Sequence, residues 1–300
     1  MHSEHTPSQP SGEGSLWEHR TARVNGINIH YVVQGQGAPV MLVHGWPEFW
    51  YGWRKVIPVL AQRFLVIAPD MRGFGYSDKP LAGYDTRTAA SDLYELARSL
   101  GHERIALVGH DIGVRVTYRY TLDHEAAVTR LALLDGTPPL EQLGPLPPQV
   151  IRERWHAYFH QQPDLPERLV AGNVEAYIRH FLRDWSIHKY VFTDEEVAEY
   201  VRAYSQPGAL RGGFSYYRAA AYEDPPHWHA DAARQLATPL LYLWGARRAR
   251  TAAALGSDPL EAWRTVFPNV RGKYLGEYGH FLQSEAPDEV NRELLAFLSA

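Results

Sequence analysis

The sequence predicts an α/β fold built on a doubly wound, mostly parallel sheet, with helices around it and a helical insertion over one edge. Two observations predict the sheet. Short, β-rich apolar runs alternate with longer helical patterns, and each run is apolar on both faces and closes on Gly, Asp or His. A third predicts the insertion, because the alternation stops between about Thr137 and Pro226.

The elements follow in order. TARV and INIHYVVQG flank Asn25-Gly26, the signature of a tight hairpin. The buried runs are VMLVHG (40–45), FLVIAPD (64–70), RIALVGHD (104–111), VTRLALLDG (128–136), PLLYLWG (239–245) and KYLGEYGH (273–280). In such sheets ligands gather beyond the carboxyl ends of the strands, so the last residues of these runs are the ones to inspect. The interrupting stretch opens on a proline-rich passage, TPPLEQLGPLPP, and is rich in aromatics and helix formers. It reads as a helical cap over residues 138–226, leaving 16–137 and 227–300 as the core. Residues 1–15 are polar and rich in Ser, Pro and Gly, and read as a disordered tail without the features of a secretory signal.

Composition excludes several classes. The chain of 300 residues is 45% hydrophobic and 21% charged, as water-soluble globular proteins are. A net charge of −4 with mixed signs argues against a nucleic-acid or membrane-surface partner. No apolar run is long enough to cross a bilayer. Without cysteine, disulfides and thiolate metal sites are excluded. The expectation is a cytoplasmic protein acting on a small molecule.

Gly109-His110-Asp111-Ile112-Gly113 follows the strand RIALV and has the G-x-S-x-G form of a nucleophile elbow, with Asp in place of Ser. The alternative is a plain Gly-rich turn with an N-capping Asp. A carboxylate is suited to displacement at activated sp3 carbon, giving an alkyl ester of the enzyme that water then hydrolyses. Epoxides or alkyl halides are therefore the expected substrates. The hydrolytic step needs a base, and His280, late in the chain, is the candidate. The acid is harder to place. After PLLYLWG come Ala246-Arg247-Arg248-Ala249-Arg250, with no carboxylate, and Ser257-Asp258-Pro259 reads as a helix start. Asp135, ending VTRLALLD, is the expected acid. His44-Gly45-Trp46-Pro47 follows VMLV, so the backbone N–H groups of Trp46 and Ile112 are the expected oxyanion donors.

With HGWP, RGFGYSDKP (72–80), GHDIG and the late YGH in this order, the chain resembles the epoxide hydrolase and dehalogenase branch of the α/β-hydrolases over roughly residues 20 to 298. The resemblance implies an eight-stranded sheet, a homodimer, and no metal or organic cofactor. It is nearest to Cif-like bacterial epoxide hydrolases and to fluoroacetate dehalogenases. Both place the acid where Asp135 stands, and both carry a cap histidine and a tyrosine before arginine. Here these are His156, in Trp155-His156-Ala157-Tyr158-Phe159, and Tyr217, in Phe214-Ser215-Tyr216-Tyr217-Arg218. By that match His156 and Tyr217 reach the leaving group, while Trp155, Tyr158, Phe159, Trp185 and Tyr216 are candidates to line the pocket.

Proton-donating groups suit an opening epoxide, whereas a departing halide needs only N–H donors. The fluoroacetate enzymes have an arginine after the nucleophile and a tryptophan after the cap histidine; here those positions are Ile112 and Ala157. This favours epoxide hydrolysis over haloacid or haloalkane dehalogenation. Arg115 points the other way, matching a carboxylate-binding arginine of the dehalogenases, unless it pairs with a neighbouring acid. A non-catalytic descendant of the fold is disfavoured because nucleophile and base are both present.

Overall fold

The computed structural model describes residues 17–142 and 145–300; the tail expected at residues 1–15 lies outside the described residues. Strands β1 (Glu18–Val24) and β2 (Ile27–Gln34) form the expected hairpin, with Val24 opposite Ile27. Asn25 and Gly26 close it with positive φ. They join β3 (Ala38–Val43), β4 (Phe64–Pro69), β5 (Ile105–His110), β6 (Val128–Leu134), β7 (Leu240–Gly245) and β8 (Arg271–Leu275). The eight-stranded sheet has the order β1-β2-β4-β3-β5-β6-β7-β8 and is parallel from β4 to β8.

Burial explains the patterning. All six residues of β5 are buried between β3 and β6, so the run is apolar on both faces. β8 departs from the expectation. It is an edge strand whose first four residues, Arg271 to Tyr274, are not buried, and charge at an edge resists pairing with other chains. It also stops at Leu275, so His280 stands on a loop five residues further along and does not end a strand.

Core helices are α1 (Ile57–Leu60), α2 (Thr86–Ser99) and α3 (Ile112–Asp123) before β6, then α11 (Ala246–Leu255) and α12 (Pro259–Arg264) before β8, and α13 (Leu282–Glu285) and α14 (Pro287–Ser299) after it. Asp258 caps α12 through the backbone N–H groups of Leu260 and Glu261, as Ser-Asp-Pro predicts.

Between β6 and β7 lie α4 (Pro148–Glu153), α5 (Trp155–Gln161), α6 (Leu165–Ala171), α7 (Val174–Asp184), α8 (Asp194–Tyr204), α9 (Ala209–Tyr222) and α10 (Pro225–Ala230). α10 runs across the expected boundary at Pro226. Pro225 and Pro226 start this helix, where a missing N–H costs nothing, instead of marking the end of the insertion. α7 buries Val174, Ile178, Phe181 and Leu182, one stripe at helical spacing. That stripe meets Trp46, which is fully buried, with ring centroids 4.7 Å from Phe181, 4.8 Å from His160 and 5.6 Å from Trp185. Edge-on aromatic contacts of this kind join insertion and core.

Candidate active site

Parallel strands bring their carboxyl ends to one edge, and the expected site residues stand there. Asp111 follows β5 with φ 53° and ψ −115°, a strained backbone for a residue with a side chain. The flanking glycines make this bend feasible. A Cβ on Gly109 would lie 2.4 Å from Thr117 Oγ1, and one on Gly113 would lie 2.3 Å from the carbonyl oxygen of Val43. The bend hands the Asp111 carboxylate to the loop after the neighbouring strand β3: Trp46 N–H donates to its Oδ1 at 2.9 Å. Ile112 opens α3 immediately after it.

His280 Nε2 lies 3.4 Å from Asp111 Oδ2. On the other side of the ring, Nδ1 donates to Asp135 Oδ2 at 2.6 Å. Asp135 follows β6, also with positive φ, and its second oxygen accepts from Gly245 N–H at 2.8 Å, where β7 ends. Three strand ends thus fix one line of groups. Burial opposes charge on both partners, yet the pair overrides it. Hydrogen bonding and charge from His280, with His110 and the Trp46 N–H, hold the Asp111 carboxyl well below the usual carboxylate range. The two aspartates raise His280 to about 9. The resting pair is carboxylate and imidazolium.

The main chain of His280 is held from both sides. Its N–H donates to the carbonyl of Trp185 at 2.9 Å, and its carbonyl accepts from His110 Nε2 at 2.9 Å. His110 Nδ1 contacts Glu48 Oε2 at 2.8 Å, and Gln283 donates to the same oxygen at 2.7 Å. Glu285 adds a second brace. Its carboxylate accepts from the N–H groups of Gly279 (3.1 Å) and Ile187 (2.8 Å), tying the histidine loop to the turn after α7. Only glycine fits at 279, where a Cβ would lie 2.3 Å from the carbonyl oxygen of Trp185.

A cavity of 460 Å³ opens over these groups. Asp111, Ile112, Asp135 and His280 line it from the core, and His156, Tyr158, Trp185, Tyr216 and Tyr217 line it from the insertion. His156 and Tyr217 stand with ring centroids 5.7 Å apart. Burial drives His156 well below its usual value, reinforced by His160, Arg247 and Arg154, so the imidazole is neutral. Burial and the charge of Asp111 keep the Tyr217 phenol protonated far above its ordinary range. Two neutral proton-bearing side chains therefore face an ionised carboxylate.

Not every candidate reaches the cavity. Trp155 is 43% exposed and lies outside the cavity wall, stacked 5.6 Å from Phe181, so its expected substrate contact is corrected. Phe159 is likewise absent from the wall. Tyr216 does line it, but its hydroxyl donates to the carbonyl of Arg72 at 3.2 Å. Arg115 is on the wall. Sequence reasoning missed Arg154, Arg247, Arg248 and Asp224, which share it. Arg247 and Arg248 had a signal, since they follow a strand on the ligand edge; Asp224 had none.

Among the described residues no cluster of His, Cys, Asp or Glu is arranged to hold a metal ion, and no helix is long and apolar enough to cross a membrane.

Comparison with known proteins places the whole chain. The family described as the alpha/beta hydrolase fold matches residues 38–287. A soluble epoxide hydrolase of Corynebacterium sp. (strain C12) is 39% identical, over 94% of this chain and 97% of that one. A fluoroacetate dehalogenase of Burkholderia sp. is 35% identical, over 94% of each. A solved epoxide hydrolase without ligand superposes with a TM-score of 0.88 at 38% identity, covering 94% of this chain and 99% of its own. The chain belongs to the α/β-hydrolase fold family, in the branch that holds soluble epoxide hydrolases and fluoroacetate dehalogenases.

Proposed function

We propose that this protein hydrolyses epoxides to vicinal diols through an alkyl ester on Asp111. The observation that carries the reading is an ionised carboxylate on a strained bend, 3.4 Å from an imidazole and facing a cavity with two neutral proton donors. Asp111 forms a C–O bond to an epoxide carbon as the ring C–O bond breaks, and the departing oxygen takes a proton delivered through Tyr217 or His156. Esterification removes the charge that holds the His280 proton. The imidazole becomes neutral, and the proton it gives up balances the one taken by the alkoxide.

His280, oriented by Asp135, next takes a proton from water as the oxygen attacks the ester carbon. The resulting oxyanion at Oδ1 is held by the N–H groups of Trp46 and Ile112. Collapse expels the diol and regenerates carboxylate and imidazolium. In this reading residues 138–226 act as a cap that brings His156 and Tyr217 over the nucleophile. The resemblance further supports a cytoplasmic homodimer, which sedimentation of the purified protein tests.

Haloacid dehalogenation is the second reading, supported by the Burkholderia relative and by Arg115 on the cavity wall. The test is wild type beside Asp111→Ala on panels of epoxides and haloacids, with diol and halide measured separately. Diol formation that vanishes in the variant is expected. Halide release without diol selects the second reading. In oxygen-18 water, single turnover places label in Asp111; an unlabelled carboxylate overturns both.

A further inference from the structure

Behind the cavity wall, three groups of the mechanism share one neighbour. His160 is fully buried, one helical turn after His156 on α5, and does not line the cavity. Its ring centroid lies 4.6 Å from that of Tyr217, 4.8 Å from Trp46 and 5.9 Å from His156. It also stacks on Phe214, 4.0 Å away at 18°, and Phe214 stands one turn before Tyr217 on α9. Packing alone would accept phenylalanine at this position. Burial drives the imidazole well below its ordinary pKa, with the field of Arg218 adding to the shift, so the ring is neutral. A polar ring among aromatics is unfavourable unless a specific bond offsets its burial.

That bond points outward. His160 Nε2 and the Tyr177 hydroxyl are 2.8 Å apart. Tyr177 is only partly buried, and burial raises its phenol, so both partners are uncharged. Among the described residues Nδ1 has no hydrogen-bond partner, which leaves Tyr177 to set the angle of the ring. The bond joins α5, the helix of His156, to α7, whose Phe181 packs on Trp46. α9 is tied to the end of α5 separately. Arg218, beside Tyr217, donates to the Gln162 carbonyl at 2.6 Å and pairs with Glu167 at 2.8 Å. His160 thus stands where three insertion helices meet. Reacting groups keep their aim when the side chains behind them are locked by packing and hydrogen bonds.

We propose that His160, locked by Tyr177, is a positioning residue that holds Tyr217 and His156 at the height from which they donate to the opening ring oxygen. The inference rests on the epoxide reading and adds the source of the donors' aim. Its effect falls on ester formation, the step in which those donors act. Hydrolysis runs on His280, Asp135 and backbone N–H groups. Trp46 keeps its place there, because Phe181 and Trp185 also pack its ring at 4.7 and 5.6 Å.

Tyr177→Phe deletes one hydroxyl and keeps every ring, whereas His160→Phe keeps the stack and deletes the ring nitrogens. Both variants and their combination are compared with wild type by rapid quench on an epoxide, with intact mass following growth and decay of the alkyl-enzyme. Ester formation is expected to slow about tenfold in each single variant. The double variant should lose no more, because the same hydrogen bond is broken in all three. Ester decay is expected to stay within about twofold of wild type. Should His160→Phe not fold, Tyr177→Phe decides alone. Formation at the wild-type rate, equal slowing of both steps, or additive losses in the double variant overturns the proposal and leaves the epoxide reading standing. A wild type that forms no alkyl-enzyme from any epoxide removes the reading, and the inference with it.

Discussion

At the scale of the residue, the chemistry turns on a proton whose affinity changes during the cycle. With Asp111 ionised, His280 holds its proton to about 9. Neutralising that neighbour in Asp111→Asn should lower the imidazole pKa clearly, as followed by NMR titration of its ring protons; an unchanged value would refute the coupling. His280→Gln should still be alkylated but stall before hydrolysis. Intact mass spectrometry should find the chain heavier by one epoxide, with steady-state turnover down about 1,000-fold or more. Recovery of unmodified protein at full occupancy would rule out the two-step route.

Much at this scale was legible beforehand. GHDIG and HGWP are runs of neighbouring residues whose turn chemistry is written in the glycines. Asp135 could be read because it ends an apolar run that has to be a buried strand. Trp155 was misplaced because it adjoins His156, and successive residues on a helix point about 100° apart. His156 faces in, so Trp155 faces out. Arg247 could have been sought there because it follows a strand on the ligand edge, whereas Arg154 needed a side-chain direction that no run of letters supplies.

At the scale of the element, one buried carboxylate registers the insertion on the core. Glu285 receives N–H groups from the loop that carries His280 and from the turn that follows α7. Glu285→Gln keeps the shape but sets an amide N–H against backbone donors, and a mismatched buried polar group costs roughly 1–3 kcal/mol. Turnover should fall about tenfold, with a flattened pH profile as His280 loses its fixed aim. A lower Tm with the profile unmoved would reduce Glu285 to a purely structural brace. Phe181→Ala removes a fully buried ring beneath Trp46 and should cost about 3–5 kcal/mol in denaturant melts. The strands were predictable wherever both faces are covered; β8 was expected as a strand but carried five residues too far, to His280, because an edge strand carries charge and its apolar letters continue into a loop.

At the scale of the whole molecule, the same ion pair sets how stability follows pH. The folded pKa of His280 is raised from 6.5 to about 9. Its contribution is therefore complete below about pH 6.5 and is lost as pH rises through about 9. The Asp111 carboxyl is depressed from 3.8, so its contribution is present above that value and is lost as pH falls below it. The Tm difference between wild type and His280→Gln should shrink across the alkaline window; a constant difference would break the linkage.

The one-way run of strands from β4 to β8 also has a practical side. Their amino ends point away from the mouth, and six residues at about 3.3 Å each put roughly 20 Å of sheet between the two edges. Glu103 is exposed just ahead of β5 on that rear edge, and the chain has no cysteine to compete with an introduced thiol. A Glu103→Cys protein coupled to a bead through that thiol should sit with its entrance facing solution and work at close to its free rate. The same linkage at the exposed Trp155 should throttle it.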